Sequence, residues 1–141
     1  MAISSLAQRT TNLTITQASV EWRTPATVRP KVLEISIIQA AAAAQSLGLG
    51  RPQALGAIPI NVLFQADDPG DPASVMNGAL SWTTSPTVPL IMHRRWNSPA
   101  SIGAGVVFTF PRGLVIGISS SFVLWNITAA QASDVNCICD E

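Results

Sequence analysis

The sequence predicts an all-β chain folded as one antiparallel sandwich or barrel. Three observations point there. Its 141 residues match the size of one ordinary domain. Prolines break it at short intervals from Pro25 to Pro111 and leave no clean amphipathic helical stretch outside Ala40 to Leu47. Between the breaks lie short runs rich in Val, Ile, Thr, Phe and Trp, the spacing of a sheet protein.

In chain order, residues 1–30 read as an N-terminal arm containing a first strand, and residues 31–141 as the sandwich. Asn12 to Val20 alternates, with Leu13 and Ile15 opposed to Thr14 and Thr16, as a half-buried strand does. Val32 to Ile38 alternates in the same way. The five residues Ala40 to Ala44 have high helix propensity. A strand before them and Gly48 and Gly50 after them favour a tightly packed strand instead. The run Asp67-Asp68-Pro69-Gly70-Asp71-Pro72 is turn chemistry and predicts an exposed loop. Leu80 to Thr83 and Val88 to Met92 are short strands around Pro86. Four strands follow, Val106 to Phe110, Leu114 to Ile118, Phe122 to Ile127 and Val135 to Cys139. The first two connections, Pro111-Arg112-Gly113 and Ser119-Ser120-Ser121, are short enough for antiparallel hairpins.

Charge says more about partners than about fold. The apolar fraction is 48% and the charged fraction 11%, less than half that of an average soluble domain. Met1 to Gln8 lacks a basic region followed by an apolar stretch, and no run approaches a membrane span. The surplus apolar surface is therefore expected to face other protein subunits, where charge is depleted. Eight basic and eight acidic residues cancel, which disfavours a nucleic-acid partner. Lys31 is the single lysine beside seven arginines, a bias that suits interfaces because guanidinium is weakly hydrated and binds in a plane.

No catalytic or cofactor site is legible, and the expectation is a protein that is not an enzyme. His93 has no carboxylate or nucleophile near it in sequence. Asp67, Asp68 and Asp71 lack the spacing and closing glutamate of a calcium loop. Glu21 and Glu34 would face each other as a glycosidase pair only by accident. Gly103-Ala104-Gly105 is too short for a phosphate fingerprint. Cys137 and Cys139 share one face if their segment is a strand, yet they supply only half a zinc site, so reduced structural thiols without metal are expected. Of the four tryptophans, Trp22, Trp82 and Trp125 lie in strand-like runs and default to packing. Trp96, beside Arg94 and Arg95, is the candidate for an exposed contact, and these three residues are the candidate protein interface.

Three stretches carry a resemblance: Ser46-Leu47-Gly48-Leu49-Gly50-Arg51-Pro52, then Val106 through Ile116, then Phe122-Val123-Leu124-Trp125-Asn126. With the acidic ending Asp140-Glu141, they resemble small structural proteins of tailed bacteriophages, over roughly residues 30–141. That resemblance implies a jelly-roll sandwich that trimerises and decorates the capsid exterior as a cement protein, after synthesis in the host cytoplasm. Its implied partners are the major capsid protein and itself, with the arm from Met1 to Pro30 reaching across to capsid subunits. No cofactor, nucleic acid or membrane is implied. The alternatives are a carbohydrate-binding domain of a head or tail fibre, with a glycan as partner, and a structural protein of the tail or connector.

Overall fold

The computed structural model describes residues 2–11, 17–58 and 61–141. Its strands are β1 (Ile3–Arg9), β2 (Ala18–Arg23), β3 (Lys31–Gln39), β4 (Gln45–Gly50), β5 (Val62–Leu63), β6 (Gln65–Ala66), β7 (Asn77–Ala79), β8 (Met92–Ser98), β9 (Gly105–Val115), β10 (Ser121–Asn126) and β11 (Ser133–Asp140). One sheet has the order β6-β1-β11-β3-β9 and the other β5-β7-β2-β10-β4-β8. All pairings are antiparallel, so the protein is an all-β sandwich.

The pairing pattern is that of a jelly roll. Setting aside the short strands β5, β6 and β7, the first strand pairs with the last (β1 with β11) and the second with the next to last (β2 with β10). Likewise β3 pairs with β9, and β4 with β8. One long hairpin is in effect rolled up, with β11 also pairing β3 and β10 also pairing β4.

The sequence explains each layer. In β11, Ser133, Val135, Cys137 and Cys139 point inward and alternate with half-buried Asp134, Asn136 and Ile138. Val32, Ile35 and Ile37 of β3 meet Val20, Trp22, Leu47, Leu49, Phe122 and Leu124 of the other sheet in one core. Burial of each such side chain contributes about 1.5–3 kcal/mol.

The second sheet is covered on its outer face as well. Every residue of β10 is buried, because the chain between β4 and β8 doubles back over it. Trp82 and Met92 pack there on Ala18, Val123 and Trp125. Gly48 and Gly50 permit that approach: a Cβ added to them would stand 2.7 Å from Met92 Sδ and 2.6 Å from Pro89 Cβ.

Under this layer lies Glu21, fully buried. Its carboxylate accepts hydrogen bonds from Trp82 Nε1 at 2.7 Å, Arg23 Nη2 at 2.8 Å, Ser121 Oγ at 2.8 Å and the Gly56 amide at 3.4 Å. The charge thus ties two sheet strands to both arms of the covering layer. The two lateral sides of the sandwich differ. On one, β5 and β6 join the sheets through buried Phe64, β5 pairing β7 and β6 pairing β1. On the other, β8 and β9 leave a seam where Arg94 lies over the Phe110 ring, 5.3 Å from its centroid.

Several expectations need correction. The described residues among the first thirty do not form an arm: β1 pairs with β11 along its length and β2 is buried inside the second sheet. The short run Ile3 to Arg9 carries Ser4 and Leu6 inward, an alternation too brief to stand out in the sequence. Of the strand expected over Asn12 to Val20, residues 12–16 lie outside the described residues, and the strand observed starts at Ala18. Ala40 to Ala44 is a turn between β3 and β4, not a strand. Leu80 to Thr83 lies in the covering layer, and the strand expected from Val88 begins only at Met92. No hairpin forms at Pro111-Arg112-Gly113: the ladder with β3 passes from Glu34 opposite Thr109 directly to Val32 opposite Leu114, so these residues bulge out of β9, and β9 and β10 lie in different sheets. β9 is an edge strand, where a proline's missing N–H is tolerated, and Gly113 takes a φ of 69°.

Candidate functional site

One end of the sandwich gathers four connections. The register sets Arg9, Asp134, Ile38 and Gly105 in one row across the first sheet, so residues 10–11, 40–44, 99–104 and 127–132 all leave from the same end. None of these four segments contains a charged residue. An end this size without one charge is unusual for a surface, where roughly a quarter of residues are normally charged.

Neutral side chains buried at its base hold this end in shape. Gln39, at the last position of β3, donates from Nε2 to the carbonyls of Ala41, at 2.6 Å, and Ala43. Its Oε1 accepts from Ser98 Oγ. Gln45, at the first position of β4, donates to Ser133 Oγ at 2.9 Å and accepts from the Gln131 amide at 2.9 Å. Thr10 and Ser133 exchange bonds in turn, with Thr10 N donating to Ser133 O at 2.8 Å and Ser133 N to Thr10 Oγ1 at 3.0 Å. These amides pin the 40–44 turn, the 127–132 connection and the ends of β1 and β8 to one another. The tip is pre-organised without an ion pair inside it.

The outer surface of this end is apolar and small-residued. Ile102 is 68% exposed, Val107 57% and Ile38 45%. They lie together, since Ile38 faces Gly105 across the β3–β9 ladder and the Gly103 amide donates to Gln39 O at 2.8 Å. Ala42 and Ala44 are exposed beside them. The nearest charges, Arg9 and Asp134, neutralise each other through a two-pronged contact of 2.7 Å on each prong. The hydrogen bond from Arg9 holds the Asp134 carboxyl below its ordinary range.

The residues singled out from sequence are dispersed. Strand alternation separates the candidate trio: Leu49 faces Arg94 and Leu47 faces Trp96 on the core side of β8, while Arg95 lies opposite Gly48 on the other side. Trp96 is half-buried and packs on the core, so it is not the exposed contact expected. Of the other tryptophans, Trp22 and Trp125 are buried and Trp82 is half-buried. His93 packs on Phe122 at 5.8 Å between centroids, and partial burial, then Arg51 and Arg94, lower its pKa. Cys137 and Cys139 do share the core face, as free thiols 3.6 Å apart, and burial raises the Cys137 pKa well above the ordinary thiol value. Asp67, Asp68 and Asp71 sit in the exposed loop after β6, and among the described residues no cluster of His, Cys, Asp and Glu is placed to hold a metal.

Sequence reasoning missed Gln39, Gln45 and the tip they build. A signal existed: charged residues are absent from all four segments, although each looks unremarkable alone. No family model, curated protein or solved structure matches the chain.

Proposed function

We propose that this protein is a virion structural protein, a capsid decoration or cement protein of a tailed bacteriophage that binds the assembled shell as a homotrimer. The observation that carries the reading is the charge-free, pre-organised end of the sandwich. A surface without charges is cheap to desolvate against protein, and a surface already rigid loses little entropy on docking. It is poorly suited to nucleic acid, which needs cations to displace counterions. The shell contact is therefore this loop end and not an N-terminal arm, whose residues are built into the sheets.

In this role the protein binds the assembled shell better than free capsid subunits, so mass action favours the shell. A trimer on a threefold position repeats each contact three times and gains avidity accordingly. The partners are the major capsid protein and other copies of the chain, on the capsid exterior.

The test is co-sedimentation of purified protein with capsids of the phage whose genome encodes it. Saturable binding to shells, with none to unassembled capsid protein, is the expected result. Absence of the protein from both shells and purified virions overturns the proposal.

A further inference from the structure

The net charge of zero conceals a separation of charge between the two lateral edges. At the closed edge, beyond β6, stand Asp67, Asp68 and Asp71, with Glu141 held beside them by Ser4 Oγ at 2.7 Å and the Val75 amide at 3.0 Å. At the open edge, around β8 and β9, stand Arg51, Arg94, Arg95 and Arg112, all exposed. The only ion pairs among the described residues are Arg9 with Asp134 and Arg23 with Glu21, so none of these four arginines meets a carboxylate within its own chain. β6 and β9 terminate opposite sides of a five-stranded sheet, which sets the edges about 20 Å apart.

Each charged edge also carries bare apolar side chains. Leu90 and Ile91 are 75% and 73% exposed immediately before β8. Leu63 and Val62 are 53% and 45% exposed at the closed edge, with Val75 beside them at 41%. The seam itself is an apolar groove of about 390 Å³ lined by Arg94, Phe110, Arg112 and Leu114. Direct strand addition is blocked, since β8 places arginines on its rim, β9 contains Pro111 and β5 and β6 are two residues each.

We infer that the open edge of one copy receives the closed edge of the next, acidic on basic and apolar on apolar, in a head-to-tail contact. The occupant is a second copy of this chain because the complement in charge and in apolar content is present on the chain itself. A heterologous contact of this kind builds a closed ring when its rotation closes. Both edges' charges lie toward the end remote from the loop tip, since Ser5, next to Gln65, and Arg94, opposite Leu49, occupy that half of their ladders. Association therefore leaves the tip free. The inference stands whether or not the assembly then sits on a capsid.

The experiment is light scattering coupled to size exclusion on purified protein alone, at low ionic strength. Wild type is expected at a multiple of 14.8 kDa. Reversing one edge, by Arg95→Glu with Arg112→Glu or by Asp68→Lys with Asp71→Lys, is expected to weaken association at least about a hundredfold, because like charges are then juxtaposed. Combining all four substitutions in one chain restores the complement and the larger mass, which a misfolded chain would not do. A wild type that stays at 14.8 kDa at every concentration overturns the inference, as does a larger mass that survives either reversal or fails to return in the four-fold variant.

Discussion

Two buried polar clasps hold the irregular chain of this protein, and they are built from opposite chemistry. The covering layer is tied down by a charge, Glu21, which is fully buried and accepts from four groups on four segments. The loop end is tied down by neutral amides, Gln39 and Gln45, each with its own few bonds. A buried carboxylate demands every donor, because an unpaired one costs far more than a missing amide bond. Glu21 therefore makes its region cooperative. The amides allow the opposite end to be rigid and yet project no electric field, which is the property a protein-docking surface needs.

This difference sets the order of expected effects. Glu21→Ala strands Trp82 Nε1, Ser121 and the Arg23 guanidinium together, and the expected loss is about 3–5 kcal/mol of unfolding free energy. Denaturant titration measures it, and a change in tryptophan emission at low denaturant should report release of Trp82. A loss no larger than that of an ordinary surface substitution would contradict the cooperative role. Gln39→Ala removes bonds to Ala41, Ala43 and Ser98, with an expected cost of about 1–3 kcal/mol. Amide exchange should quicken in residues 40–44 and 99–104 while the covering layer keeps its protection. Spread of that loss to the covering layer would show the two clasps to be one.

The smallest effect concerns His93. Its pKa is lowered in the fold, so the unfolded chain binds the proton more readily. Its contribution is fully present above the unfolded value of 6.5 and declines as pH falls from there toward the folded value. In His93→Gln the denaturation midpoint should vary less with pH across that window. An unchanged pH profile would place the proton linkage elsewhere.

How much of this was legible in the sequence follows from the faces of the strands. β3, β10 and β11 were readable because Ile35 and Ile37, Phe122 and Leu124, and Val135 and Cys137 repeat at the period of a sheet. The covering layer was not, because its Trp82, together with Met92 at the start of β8, hides the outer face of a sheet whose strands then read as unbroken apolar runs. Pro111-Arg112-Gly113 had turn chemistry, and it was used for a bulge in β9, whose pairing with β3 resumes at Leu114, and not for a hairpin. The alanines misled in the other direction: small side chains suggested close packing, whereas Gln39 holds them as a turn. Glu21, an acid inside Ser19-Val20-Glu21-Trp22, was the one visible hint of a buried clasp, and its partners stand too far away in the chain to be guessed.

The central claim is that the uncharged loop end is the face that docks on a capsid. The most direct measurement compares wild type with Ala42→Glu and Ile102→Asp in the capsid co-sedimentation assay. Both positions are exposed, so stability should stay within about 0.5 kcal/mol of wild type. Shell binding is predicted to fall at least about tenfold in each variant, because an unpaired charge is then desolvated at the contact. Undiminished binding by both folded variants would contradict the account.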